Sequence, residues 1–388
     1  MAGFSNSSTT VPLYTSERIC NKTNGPLVLK VNDEKKLAEY KQNIIKQWPI
    51  IKNRDNFPGP QPISLERKDI YKMEMYFYTA CEKTDGMRYL LYANSKGPDK
   101  NVFLIDRAFR FYKVNITFSD YVFNETIIDG ELVCNNTGQW CFYIHDCICL
   151  SGINVSKSPF NIRYAFIKKA VETKNYTSTL DAPFTLKLKK FWDFCKFSEM
   201  LQYYTENRPD HKVDGLIFTP LKLGVGTGTQ MSLFKWKYHH TFDFSVIKRQ
   251  ANGSNSRYDM YIIDKGKMTK YCSLNERTSN GRTFAEVYNK IVPDPKSSDP
   301  VIIECSYNSN TQSYIPILIR TDKTYPNSIN TIRKTLLNIE EDLQINDILN
   351  SSKVTKIPTN QDSFDNFHTP KTSRNFNAPI IPSTPPGF

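Results

Sequence analysis

The chain has 388 residues, 39% of them hydrophobic, and carries a formal charge of +12. That length exceeds one average domain and is enough for two, each with its own core. No apolar stretch is long enough to span a bilayer, which argues against a helical membrane protein, and the basic surplus points to a polyanionic partner such as nucleic acid or nucleotide phosphate.

Residues 1 to about 30 are polar and mixed, with one strand predicted over 26–31. A helix follows, capped by Asn32 or Asp33, because Leu37, Tyr40, Ile44, Ile45 and Trp48 recur at helical spacing. The prolines of 58–62 break it and lead to a short helix at 64–69. From Tyr71 to Leu150 the pattern predicts strand after strand, at 76–80, 89–92, 103–105, 109–112, 126–128 and 140–150. Two amphipathic helices are predicted after Pro159 and from Asp193 to Glu206, then strands at 213–218 and 233–238.

Past His240 five short strands alternate with polar turns, at 241–247, 257–263, 269–274, 301–305 and 314–320, which suits a small barrel of the OB type. A helix after Pro326 and a shorter one near 345–349 close the folded part. Residues 351–388, rich in Pro, Ser, Thr and Asn, are expected to be disordered. The expected division is 1–240 and 241–339, with 340–350 packing back on the first domain. The nine cysteines include no Cys-x-x-Cys, so reduced thiols and no zinc site are expected. The polar N-terminus has no apolar signal core, so an intracellular, soluble monomer is expected despite sequons at Asn115 and Asn154.

One lysine organises the chemistry. Lys83 stands two residues before Asp85-Gly86, between two strand-like runs, where a tight turn would present it from rigid elements. A deprotonated amine held that way is a covalent nucleophile. Alone the signal is weak, since Lys-x-Asp-Gly arises by chance in roughly one chain in ten of this size. The chain also supplies partners. Lys235 and Lys237 share a strand face at period two, and nearby cations both lower an amine pKa and neutralise phosphate. Carboxylates come from Asp129-Gly130-Glu131 and Asp214-Gly215, and Mg2+ takes one or two carboxylates with substrate phosphates. Arg107 is a candidate ribose or phosphate contact, and Arg320-Thr321-Asp322-Lys323 combines a bidentate phosphate binder with an acid and an ammonium.

Taken in order, Glu82-Lys83-Thr84-Asp85-Gly86-Met87-Arg88, Ile105-Asp106-Arg107, Asp129-Gly130-Glu131, Asp214-Gly215-Leu216-Ile217, Leu233-Phe234-Lys235-Trp236-Lys237 and Arg320-Thr321-Asp322-Lys323 resemble the motifs of covalent nucleotidyltransferases. That superfamily holds mRNA guanylyltransferases (capping enzymes) and polynucleotide ligases. The chain looks most similar to the single-function capping enzymes of the large DNA viruses of Chlorella, with further support in Phe57-Pro58-Gly59-Pro60, Glu66-Arg67-Lys68-Asp69, the stretch 239–244 and the stretch 334–341.

The resemblance implies an α+β fold: an ATP-grasp-like ligase/capping domain of antiparallel sheets with flanking helices, plus a C-terminal OB barrel. It implies that Lys83 takes GMP from GTP, with Mg2+ (or Mn2+) assisting, and passes it to a 5′-diphosphate RNA to form a GpppN cap. It further implies Arg88 and Arg107 at the ribose, Glu131 at the sugar and, with Asp214, at the metal, and Lys235 and Lys237 at the α-phosphate. Arg320 and Lys323 would reach the outer phosphates when the cleft closes. Thr84, Asp243 and Asp322 are further substrate-binding candidates, and a lysine near Phe191, Lys189 in preference to Lys190, would read the guanine edge. Guanine would stack between Ile217 and the residue before Asp146, where the family's aromatic is replaced by His145. Tyr314 replaces the usual tryptophan six residues before Arg320.

Two other readings compete: an ATP-dependent DNA or RNA ligase using the same lysine, and an inactive nucleic-acid-binding module. The sequence holds no Cys-x5-Arg phosphatase loop and no strand-anchored methyl-donor glycine motif, so RNA triphosphatase and cap methyltransferase are expected to be separate proteins.

Overall fold

The computed structural model describes residues 12–20, 24–48, 57–96, 99–171, 176–177, 182–250, 255–321 and 323–355. Two sheets face each other across an apolar core. One has nine strands, including Met87–Lys96, Asp99–Ile105, Thr126–Cys134 and Trp140–Leu150; the other has five, including Tyr78–Thr84, Val213–Pro220 and Thr229–Lys237. Their shared core holds Cys81, Leu91, Leu104, Ile128, Phe142 and Leu221.

Helices cover the two outer faces. Glu34–Lys46, capped by the Asp33 side chain on Lys36 N, lays Tyr40 and Ile44 against Phe103 and Phe111 of the larger sheet. Phe197–Glu206 and Ile345–Val354 cover the smaller sheet, with Met200 and Ile348 packed among Leu216, Phe218 and Trp236. The chain therefore returns to the first domain after the barrel. The last helix runs past the expected start of the tail, with Ser351 and Ser352 buried; residues 356–388 lie outside those described.

The second domain is a five-stranded antiparallel sheet. Thr241–Gln250 pairs with both Ser256–Asp264 and Val301–Asn308; Lys267–Asn275 and Ser313–Ile319 complete the edges, the strand order of an OB fold. Between its third and fourth strands runs the helix Ser279–Ile291, where the sequence reading has only polar turns. Thr278 caps it by accepting from Gly281 N at 3.1 Å, and Phe284, Ala285 and Tyr288 are its buried face. Tyr14–Arg18 is a second unexpected element, a strand paired antiparallel with Leu27–Val31. No helix among the described residues is long and apolar enough to cross a membrane.

Candidate active site

Asp85-Gly86 does not close a hairpin. The strand ending at Thr84 belongs to the smaller sheet and the one starting at Met87 to the larger, so the chain changes sheets beside Lys83. Gly86 is required by space: a Cβ there would lie 2.7 Å from the Leu132 carbonyl oxygen. Lys83 thus sits at the mouth between two sheets.

Register explains what gathers there. Lys83 and Lys237 both pair with Gly215, and Cys81 and Lys235 both pair with Ile217. Paired and alternate residues share a face, so Lys83, Ile217, Lys235 and Lys237 all look toward the opposite sheet, where Ile217 packs on the shared core. Lys235 and Lys237 share a face as their spacing predicts. Trp236 lies on the reverse and gives its indole N–H to the Leu343 carbonyl at 2.7 Å.

Asp214 arrives by a bulge. Pairing steps from Val213–Thr84 to Gly215–Lys83, leaving Asp214 as an extra residue whose side chain is re-aimed. Its Oδ1 accepts from Lys83 Nζ at 2.7 Å, and Lys237 Nζ lies 3.1 Å from Oδ2. The glycine after it has φ +155°, and a Cβ there would strike the Trp236 carbonyl. The Lys83 and Asp214 side chains keep 20% and 28% exposure, enough to meet a ligand. Burial first, and then the charges of Lys237, Lys83 and Arg107, push the pKa of Lys235 down to about 8. The sequence reading expects such crowding to strip the proton from Lys83. The structure gathers the cations there, and it also sets the Asp214 carboxylate against the Lys83 amine.

The larger sheet forms the opposite wall. Asp129 is fully buried, takes Arg88 in a two-pronged ion pair, and lies 3.2 Å from His145 Nε2. Burial alone would raise its carboxyl pKa; Arg88 and His145 outweigh that and hold it well below the usual carboxylate range. His145 also sits at a bulge, between Ile144–Gly130 and Asp146–Asp129. The Arg88 guanidinium further donates to the Pro60 carbonyl and lies 5.3 Å from the Phe57 ring centre. Arg88, expected at the ribose, is therefore engaged by protein groups. Half-buried Glu131 accepts from Gly86 N at 3.3 Å. Arg107 is exposed just beyond Asp99–Ile105.

Lys189 is buried and donates to Thr84 Oγ1 at 2.6 Å, next to Lys83 in the chain. Burial would lower its pKa, but Glu82 and other nearby anions outweigh this and raise it. The barrel holds a second cluster. Asp243 accepts from Arg320 Nη1 at 3.2 Å and from Asn327 Nδ2 at 3.2 Å, and binds Lys323. Asp322 lies outside the described residues. Tyr314 packs in the barrel core against Phe242 and Phe244.

Sequence reasoning counts Asp129 among the carboxylates but does not find its partners, Arg88 and His145. It also missed Tyr204, which donates to the buried Glu82 carboxylate next to Lys83. The available signal was an acid at the centre of an apolar strand, which demands a partner.

Residues 23–239 match the model of the mRNA capping enzyme catalytic domain, and residues 224–349 that of the mRNA capping enzyme C-terminal domain. The mRNA-capping enzyme of Danio rerio is 28% identical over 321 residues, covering 78% of this chain and 50% of that protein. The mRNA-capping enzyme subunit alpha of Schizosaccharomyces pombe is 27% identical over 338 residues, covering 78% of this chain and 81% of that protein. The chain thus spans about half the length of the animal relatives it matches. A solved mycobacterial DNA ligase D complexed with ATP and MES aligns with a TM-score of 0.37 and 15% identity, over 69% of this chain and 96% of that one.

Proposed function

The chain belongs to the mRNA capping enzyme family, and from that premise we propose that it is a GTP:RNA guanylyltransferase working through Lys83. In the first step Lys83 Nζ attacks the α-phosphorus of GTP. A P–N bond forms, the bond to the bridging oxygen breaks, and pyrophosphate leaves. In the second a terminal phosphate oxygen of a 5′-diphosphate RNA attacks the same phosphorus, the P–N bond breaks, and the amine is regenerated under a GpppN end. The observation that carries the reading is Lys83 bound to Asp214 at the mouth between the sheets, with Lys235 and Lys237 on the same face.

Attack requires a free amine, so Lys83 must give up its proton and its hold on Asp214. Asp214 is the nearest acceptor, at 2.7 Å. Lys235 and Lys237 would hold the α-phosphate, and Lys189 with Thr84 would meet the guanine edge. Ile217 and His145 would flank the base, with Asp129 fixing the imidazole and Arg88 fixing Asp129. Arg107 and Glu131 would meet the ribose, and Arg320 and Lys323 on the barrel the outer phosphates. The donor chemistry of Glu131 and Asp214 fits Mg2+ (or Mn2+), which when bound would neutralise phosphate charge. The narrower likeness to enzymes of large DNA viruses rests on the sequence stretches alone; the relatives named above are animal and fungal.

Incubation with α-labelled GTP is expected to leave label on the protein, acid-labile as a P–N bond should be, whereas α-labelled ATP leaves none. Label from ATP alone would establish the ligase reading instead.

Lys235 gives a second expectation. An oxyanion stabilises its ammonium form, so one that binds there takes up a proton wherever the free protein has Lys235 neutral. Affinity for sulfate, an oxyanion whose own charge is constant over this range, should therefore be level below pH 8 and fall above it, by up to about tenfold per pH unit. Calorimetry in two buffers of different ionisation enthalpy reads the proton uptake directly. A Lys235→Met variant that keeps the same pH dependence would show that another group titrates.

A further inference from the structure

A cavity of about 360 Å3 opens on the barrel, and none of the groups around Lys83 line it. It lies between the strand ends and the loop that follows Ile319. Its size falls within the range of roughly 300–1,000 Å3 typical of small-molecule sites. Val301, Ile302 and Ile319 form an apolar floor, and Met268, 49% exposed, stands at its side. Thr321 and Ser245 add hydroxyls, and Arg320 and Lys323 stand at the rim.

The cavity is two-faced in a way that a nucleotide is. The floor consists of half-buried branched side chains on strands, with no charge among them. The rim has cations whose positions are fixed, because Asp243 binds both Arg320 and Lys323 and is itself clamped by Asn327, and Glu304 takes Arg320 as well at 3.2 Å. Arg320 and Lys323 keep 22% and 30% side-chain exposure, so a phosphate can still approach. The turn before Met268 adds exposed Lys265 and Lys267. A flat base favours an apolar floor and a 5′-phosphate chain favours the cations.

We propose that this barrel cavity binds the 5′-terminal nucleoside of the diphosphate-ended acceptor RNA, with the base on the Ile302–Ile319 floor and the phosphates toward Arg320 and Lys323, which the outer phosphates of GTP vacate when pyrophosphate leaves. The inference rests on the guanylyltransferase reading and adds an acceptor site to it. Rigid strands then hold the nucleoside while its terminal phosphate is delivered to the guanylate on Lys83. The first step needs only GTP and does not use the floor. The second step does, and the two can be separated.

The test uses the full chain with Met268→Glu and, separately, Ile302→Glu. Met268 is exposed, so its variant keeps the fold; if Ile302→Glu melts early, Met268→Glu alone decides. Lysyl-GMP formation from GTP is followed first, and then transfer to a 5′-diphosphate RNA of ten nucleotides. We expect adduct formation and melting temperature to be unchanged, with KM for the RNA raised about tenfold, the scale of one lost base contact. An unchanged KM for RNA in the folded variants overturns the proposal. So does an adduct rate that falls in parallel, which would place GTP rather than RNA in the cavity. Wild-type protein that forms no lysyl-GMP is recognised before RNA is added, and removes the transferase reading and this site together.

Discussion

Replacing Lys83 with arginine is expected to give a protein that folds, binds GTP and forms no covalent nucleotide adduct. Arginine is chosen because it keeps what is structural about Lys83. Its guanidinium can still meet Asp214, which now stands 2.7 Å from the amine. It preserves the charge facing Lys235 and Lys237, and it remains protonated at any usable pH, so it cannot act as a nucleophile. The Lys83–Asp214 pair is partly exposed, at 20% and 28%, so reshaping it should change stability by less than about 1 kcal/mol. Loss of the adduct with retained melting temperature and GTP binding therefore isolates the chemistry. Intact mass after incubation with GTP reads the result: wild type gains one guanylate and the variant gains none. A guanylate found on the arginine variant would mean that another amine reacts, and Lys235, pushed down to about 8, would be the first to examine.

The sequence made the strands legible because their side chains alternate. Trp140–Leu150 appears with the predicted bounds, and Lys235 and Lys237 share the face that period two assigns them. What it hid was everything that depends on which strand pairs with which. Asp85-Gly86 spells a hairpin turn, yet the strands on either side join different sheets. Pairing partners are set by packing between distant segments, which local pattern does not carry. Bulges are hidden for the same reason. Nothing in the spelling of Asp214 or His145 announces an extra residue, yet both reach the site by one. The helix Ser279–Ile291 was illegible for a local reason. Its first turn reads Ser-Asn-Gly-Arg-Thr, a polar loop by composition, and Gly281 is present because a Cβ there would collide with the Asn275 carbonyl. Lys83, the pair Lys235 and Lys237, and the acids stood out because each is a charge inside an apolar pattern. Asp129, the acid that anchors the far wall, stood out in the same way, but its partners Arg88 and His145 lie on other strand positions that the local pattern does not connect to it.

Removing that anchor should cost more stability than any exchange on the exposed side of the site. In Asp129→Ala the Arg88 guanidinium stays buried without its counter-ion, its side chain being only 10% exposed. Breaking a buried pair from one side costs about 3–5 kcal/mol, a large part of the roughly 5–15 kcal/mol that holds a domain folded. His145 loses its partner at the same time. The first domain should therefore melt well below wild type while the barrel, with its separate core, melts near its usual temperature. Adding Arg88→Met to Asp129→Ala should recover much of the loss, since an apolar pair replaces an orphaned charge. If the double variant is no more stable than Asp129→Ala alone, the penalty lies in the missing side-chain volume and not in the stranded cation. Acid supplies an independent check. The Asp129 carboxyl has a folded pKa below its unfolded value, because Arg88 and His145 overcome the effect of burial. Its contribution is fully present above the unfolded value of about 3.9 and is lost as pH falls toward the folded one. Wild type should thus lose stability below about pH 4, and Asp129→Ala, with no such proton to bind, should show a shallower slope across that range. Parallel slopes in the two proteins would mean that Asp129 does not remain ionised against Arg88 in the fold.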